Sequence, residues 1–423
     1  MAVAFLDIND CKLQLWGERG RIQSPGYALL EGREYRFGNA ARGAARLRPR
    51  DINTRFWWQL STEPLQPALG PARHTADLVH AHLLALHREA GEPAELLLAT
   101  SGSMQREQLS LLLGIVQQCP FDAVGLINRS TLLGSLLGNG GRLFHLELQL
   151  HQALLSELTG AGSELSLARV VPLPGCGLLQ LQERLVEVVA AGFIRQTRFD
   201  PRRKAATEQL LYDSLPETLQ ALSRGNETNI EVNGYRARVT RDELAGVGQR
   251  LFESAAQTMG SLELQDQLLV DPLAGLLPGI GDQFPQLQVA APDAQWQAVQ
   301  AHGDTLLSRG QALGFTTTLP CLARSGDAPI EPAALKPMPE PEAIEQPTHL
   351  LQGYRATELS ASGTALENGA EIVAASGSWQ LNGEGVRVNG DTAAPGVLLA
   401  AGDVLTTADG NEYQLIAVAA PGA

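Results

Sequence analysis

Cysteine is scarce in this chain: four in 423 residues, at positions 11, 119, 176 and 321, with no Cys-x-x-Cys spacing. That argues against a disulfide framework and a thiolate zinc site, and predicts buried or half-buried free thiols in a reducing compartment. Aromatic residues are also few, at 5%, so Leu, Val and Ala must fill the core. No apolar run reaches the length of a transmembrane helix, about 18 residues. The opening stretch MAVAFLDINDCK lacks the basic-then-apolar pattern of a secretion signal, so the expected location is cytoplasmic. Positive charge is in deficit: the net charge is −14, which repels phosphate backbones and argues against nucleic acid as a partner. P-loop, His-Glu-x-x-His and Gly-x-Ser-x-Gly patterns are all missing.

What charge there is lies unevenly. Residues 325–423 hold 13 acidic and 3 basic side chains, whereas the first 60 hold 10 basic and 6 acidic. The Arg-rich stretch RGAARLRPRDINTR reads as a solvated helix face or as a patch for an anionic partner. Four histidines, His74, His80, His82 and His87, crowd one segment. The spacing of His80 and His87 lets both face one way, but without the i, i+4 interval of a metal pair they read as helix-edge histidines.

Apolar periodicity alternates between two and about 3.6, as in an α/β protein. AVAFLDI and KLQLW are strands, and YALLEGREYRFG is a hairpin turning at Glu31-Gly32. NAARGAARL reads as a helix. TADLVHAHLLALHREAG is an amphipathic helix with Thr75 as candidate N-cap. AELLLATSG, MQREQLSLLLGIVQQC, AVGLI and NRSTLLGSLLG continue as strand, helix, strand, helix. In RLFHLELQLHQALLSELTG, Phe144, Leu146, Leu148 and Leu150 alternate with His145, Glu147, Gln149 and His151, giving two strands, the first with one apolar face. ELSLARVVPL is a strand, followed by two long helices. TNIEVNGYRARVT is a hairpin turning at Asn233-Gly234. The next helix opens with Thr240 and Glu243 at capping-box spacing. PGCGLLQ places Gly175 and Gly177 before a helix, either as a plain turn or as an anion cradle.

Residues 323–347 hold six prolines and no apolar period, the composition of a linker. Beyond it, 348–423 carries short strands and Gly-rich turns, a small all-β module.

The first 322 residues resemble the nucleotide-binding domain of DnaK-type, seventy-kilodalton heat-shock chaperones, in the actin-like ATPase superfamily. The resemblance lies in the order of FLDINDCKLQLW, YRFGNAARGAARLRPRDINTRFWWQL, LLLATSGSMQREQLSLLLGIVQQCPFDAVGLINRSTLLGSLLG, NETNIEVNGYRARVTRDEL and DAQWQAVQAHGDTLL. It implies a two-lobe, ribonuclease H-like α/β fold with its break near residue 155. The last strands, around Asn389-Gly390 and Gly402-Asp403, loosely resemble a forkhead-associated β-sandwich.

The family's chemistry does not follow its order. The first phosphate hairpin should read Asp-x-Gly-Thr-Thr; here Asp7 is followed by Asn9 and Asp10. The second should read Asp-Leu-Gly-Gly-Gly-Thr; here stand His145, Leu146, Glu147, Leu148 and Gln149. The family lysine falls near Trp57 and the water-positioning acid at Arg129. The adenosine-flanking Glu and Lys fall near Pro216 and Leu219, and the turn beneath the base at Asp271, Pro272 and Leu273. Phosphoryl transfer depends on positioning and on charge stabilisation around Mg²⁺, and this chain has lost that equipment. The implied protein is a pseudo-ATPase scaffold or assembly factor, with no cofactor and no catalytic residue. Its protein partners would be held through the cleft and the C-terminal module. The alternative is an ATP/Mg-binding chaperone or actin-like ATPase with altered motifs, whose nucleotide would lie against Asp7, Asn9, Asp10, Gly175 and Gly177.

Overall fold

The computed structural model describes residues 3–137, 141–161, 163–309, 313–322 and 347–417, less 353–354, 361, 367–368, 376–377, 384 and 394–395. The chain is mixed α/β with several sheets, and it separates into two compact units, Met1–Ser325 and Gly326–Ala423. The linker read at 323–347 lies, apart from Pro347, outside the described residues. Among the described residues, no helix is long and apolar enough to cross a membrane.

The first unit is built on two six-stranded sheets. In one, β1 (Ala4–Ile8), β2 (Leu13–Gly17) and β3 (Gly20–Ser24) are antiparallel neighbours, while β4 (Glu95–Thr100) and β5 (Asp122–Asn128) run parallel to β1 on its other side. The second repeats that order: β6 (Leu143–Leu148), β7 (Gln152–Ala161) and β8 (Glu164–Pro174) are antiparallel, and β9 (Gln267–Val270) and β10 (Leu287–Val289) extend β6 in parallel. Two short strands on either side of Thr317 finish both sheets. Phe315–Thr316 joins β5, and Thr318–Pro320 joins β8. The break expected near 155 therefore falls inside β7; the main strands of the two sheets separate between Asn128 and Leu143.

Each sheet packs its own leucine-rich core, as the shortage of aromatics requires. Leu6, Leu15, Leu78, Leu83, Leu96 and Leu98 fill one; Phe144, Leu146, Leu185, Phe193, Leu215 and Val270 fill the other. Helix α1 (Thr75–Glu89) covers the first core. Its N-cap is His74, one residue earlier than expected; the Thr75 hydroxyl donates instead to the carbonyls of Gln59 and Ser61. The helix read over NAARGAARL shrinks to Gly38–Arg42. Helices α3 (Leu178–Thr197) and α4 (Ala205–Arg224), named after the short α2 (Arg129–Gly134), cover the second core. The Asn233-Gly234 turn has φ of 53° and 77°, the left-handed pair that a two-residue hairpin needs. Thr240 and Glu243 form the capping box, but the helix they open breaks at Gly246–Gly248 and resumes at Gln249.

In the second unit every regular element among the described residues is a strand, arranged in a six-stranded and a four-stranded sheet. Ile372, Leu381, Leu405 and Leu415 are buried in its core. Asn389 sits at φ 53° and ties its turn down, donating to Asp403 Oδ1 at 2.8 Å and accepting from Val404 N at 2.9 Å.

Candidate functional site

The parallel strands β1 and β6 each lead into a hairpin, and the two tips are hydrogen-bonded to each other. Asn9 Nδ2 donates to the Leu148 carbonyl at 3.0 Å, and Leu150 N donates to Asp10 Oδ1 at 2.8 Å. Asn9 and Asp10 thus hold the first tip against the second hairpin. What they meet is protein: the polar face of β6 is as buried as its apolar face, with His145 and Glu147 at 0% and 1% exposure.

Arg129 explains that burial. It is the first residue of α2, directly after β5, and its side chain is 4% exposed. Its Nε and Nη2 clasp both oxygens of Asp7, the latter at 3.1 Å. Nη1 reaches Glu147 Oε2 at 2.7 Å and Asp271 Oδ2 at 3.4 Å. One guanidinium therefore joins a carboxylate of the first sheet to two of the second. Its planar fork suits this geometry, because several N–H groups can each take a different oxygen. Burial alone would lower the Arg129 pKa, but the charges of Asp7, Asp271 and Glu147 outweigh it and hold it well above its ordinary value.

Three carboxylates around one cation leave an excess of negative charge, and the environment divides it unequally. Burial raises the Glu147 carboxyl despite Arg129, and Asp271 raises it further. Burial also acts upward on Asp271, but Arg129 and the His145 hydrogen bond overcome it and hold the group below its ordinary value. Gln149 Nε2 donates to Glu147 Oε1 at 2.9 Å, and Gln152 Nε2 to Gln149 Oε1 at 2.8 Å, so the network continues along the second hairpin. Burial drives the neighbouring Asp10 carboxyl up to about 7 despite the Leu150 amide; Glu147 adds to the rise.

Ser130, His145 and Asp271 form a hydrogen-bonded line, with Ser130 Oγ 2.8 Å from His145 Nδ1 and His145 Nε2 3.3 Å from Asp271 Oδ1. The roles are those of a nucleophilic triad. The placement is not: Ser130 and His145 are 0% exposed, Ser130 also bonds Ser156 at 3.0 Å, and Asp271 is shared with Arg129. The line braces β6 and presents no nucleophile to a substrate.

Gly175 and Gly177 lie at the start of α3, where the anion cradle was weighed. The helix's first amides are already used: Leu178 N donates to Gln149 O at 2.8 Å and Leu179 N to Leu150 O at 3.0 Å. A Cβ at Gly177 would lie 2.4 Å from the His151 carbonyl carbon, so that glycine admits the second hairpin tip. Trp57 is buried and donates through its indole N–H to His82 Nδ1 at 3.0 Å; His82 also bonds Ser24 at 2.7 Å. Leu219 belongs to the second core. All four cysteines are free, and no cluster of His, Cys, Asp and Glu fit to hold a metal occurs among the described residues.

The sequence reading treated Arg129 and Asp271 as two separate losses and missed that they pair. The available signal was complementary: against the resembled pattern, a cation replaces an expected acid at 129 and an acid replaces an expected glycine at 271. No protein-family model matches the chain, and no curated protein matches it.

Proposed function

We propose that the protein is a pseudo-ATPase of actin-like, heat-shock-chaperone-like build that works as a protein-binding scaffold or assembly factor. The repeated strand order of the two sheets supports a two-lobe reading of the first unit, and the all-strand second unit supports a β-sandwich interaction module. The observation that carries the proposal is the Arg129 clasp. In an actin-like ATPase the two hairpins stand apart and hold phosphates and Mg²⁺ between them. Here their tips bond to each other, and Asp7, Glu147 and Asp271 surround a fixed guanidinium in that space. A triphosphate would have to displace Arg129 from three carboxylates and meet those carboxylates in its place.

A melting experiment on the full chain tests this directly. Mg-ATP at millimolar concentration is expected to leave the midpoint unchanged. A ligand present at a hundred times its dissociation constant adds about 2.7 kcal/mol to stability. A clear upward shift with Mg-ATP would therefore favour the alternative, an ATP-binding chaperone or actin-like ATPase with altered motifs.

A further inference from the structure

Beside the Arg129 cluster, and joined to it through Gln149, a cavity of about 240 Å³ remains between the two sheets. Asp10 forms part of its wall from the first sheet, Gln149 and Gln152 from the second hairpin, and Trp57 and Trp58 from the segment between them. No Lys or Arg is among its lining residues. We propose that this cavity binds a small cationic donor, an ammonium or guanidinium group, with Asp10 as its counter-charge.

The wall is polar. Four glutamine amides line it. Gln149 donates to Glu147, Gln152 to Gln149, Gln108 to the carbonyls of Trp58 and Leu60, and Gln105 to that of Ser103. Each amide oxygen has two lone pairs, and those of Gln149 and Gln108 each already take one bond, so acceptor sites remain for a guest beside donor ones. Ser101 and Ser103 share one hydrogen bond and keep further acceptor sites. Two indole rings border it, and the face of an indole attracts a cation stripped of water. Trp58 is held flat against His151, with ring centroids 5.1 Å apart, so one aromatic wall is pre-set. The Asp10 carboxyl is 5% exposed and accepts from the Leu150 amide at 2.8 Å. Asp10 is the one charged residue among the cavity's described lining, so an anion would meet only like charge there. A neutral polyol would leave Asp10 without an opposite charge.

The cation has two possible sources, a free amine or the side chain of a bound polypeptide, and the titration separates them. The full chain is titrated calorimetrically at pH 8 with agmatine, acetyl-Gly-Arg-Gly-amide and acetyl-Gly-Lys-Gly-amide. The control is the isosteric, uncharged acetyl-Gly-citrulline-Gly-amide. Saturable one-site binding of at least one cation, with at least tenfold weaker binding of the citrulline peptide, is expected. Tighter binding of a peptide than of agmatine assigns the site to a polypeptide side chain, and the reverse assigns it to a free amine. Asp10→Asn should weaken the cation at least tenfold. Should that variant not fold, Gln152→Leu, which leaves the carboxyl in place and removes one acceptor, should also weaken binding. Absence of saturation by any cation at millimolar concentration, or affinity unchanged in the folded variants, or equal binding of the citrulline peptide, overturns the proposal. An Mg-ATP titration in parallel keeps this result distinct from the pseudo-ATPase reading, since the two ligands differ in sign.

Discussion

At the scale of single residues, two buried groups pull the pH dependence of stability in opposite directions. Asp10 titrates near 3.8 when free and, through burial, at about 7 in the fold. Between those values the unfolded chain has lost its proton and the folded chain keeps it, so Asp10 makes stability fall as pH rises from about 4 to about 7. His82 titrates near 6.5 when free and, again through burial, at about 3 in the fold. There the unfolded chain takes up a proton that the folded chain refuses, so His82 makes stability fall as pH drops from about 6.5 toward 3. Denaturant unfolding across pH 4 to 7 should therefore give a steeper rise with pH for Asp10→Asn than for the parent, and a steeper decline for His82→Gln. Parallel curves for all three proteins would refute the assignment. Most residues of this site were legible in the sequence as departures from the resembled pattern: Asp7 matched its Asp, while Asn9, Asp10, His145 and Glu147 stood where glycine, threonine, aspartate and glycine were expected. Their partnership was not legible, because it joins Arg129 to positions 7, 147 and 271, and no local pattern encodes contacts so far apart in sequence.

At the scale of elements, the side chains of the second hairpin are buried and bonded to protein. Leu148 is 2% exposed, Glu147 holds Arg129, and Gln149 ties Glu147 to Gln152. Placing the glycines of the resembled pattern, with Glu147→Gly, Leu148→Gly and Gln149→Gly, should destabilise the fold without creating nucleotide affinity. Losing buried Leu148 costs on the order of 2–5 kcal/mol, and each glycine in a strand costs roughly 0.5–1 kcal/mol more relative to alanine. Melting and an ATP titration on that variant check both parts; parental stability with micromolar ATP affinity would show that the hairpin is still a phosphate loop. Element types were easy to read wherever one face was apolar and turn chemistry was local, as at Asn233-Gly234 and in α1. They were harder where tertiary contacts decide. Thr75 looks like a cap but spends its hydroxyl on Gln59 and Ser61, and NAARGAARL has helical composition but unwinds after Arg42. The alternation in β6 announced one apolar face; its polar face is buried against a cation on α2, which follows a strand of the other sheet.

At the scale of the molecule, the Arg129 clasp is one of several ties between two separate cores, beside the hairpin-tip bonds and the strands flanking Thr317. Each sheet has its own leucine-filled interior, and the guanidinium bonds to carboxylates of both. Removing one partner of a buried ion pair costs about 3–5 kcal/mol, since the remaining charge is left uncompensated. Arg129→Met should lose at least that much, and its calorimetric transition for the first unit should broaden or split; a single sharp transition at the parental midpoint would show that the clasp couples nothing. The two strands flanking Thr317 bear on a different question, the order of events during synthesis. Phe315–Thr316 completes one sheet and Thr318–Pro320 the other, yet β5 ends at Asn128. At about 5–20 residues per second, the stretch from Asn128 to Phe315 takes on the order of 10–40 s to leave the ribosome. Throughout that interval the nascent first sheet carries an open β5 edge, a template for any extended segment nearby. Closing that edge must wait for Phe315 and Thr316, so the first sheet to begin is completed only after the main strands of the second, through Val289, have already emerged.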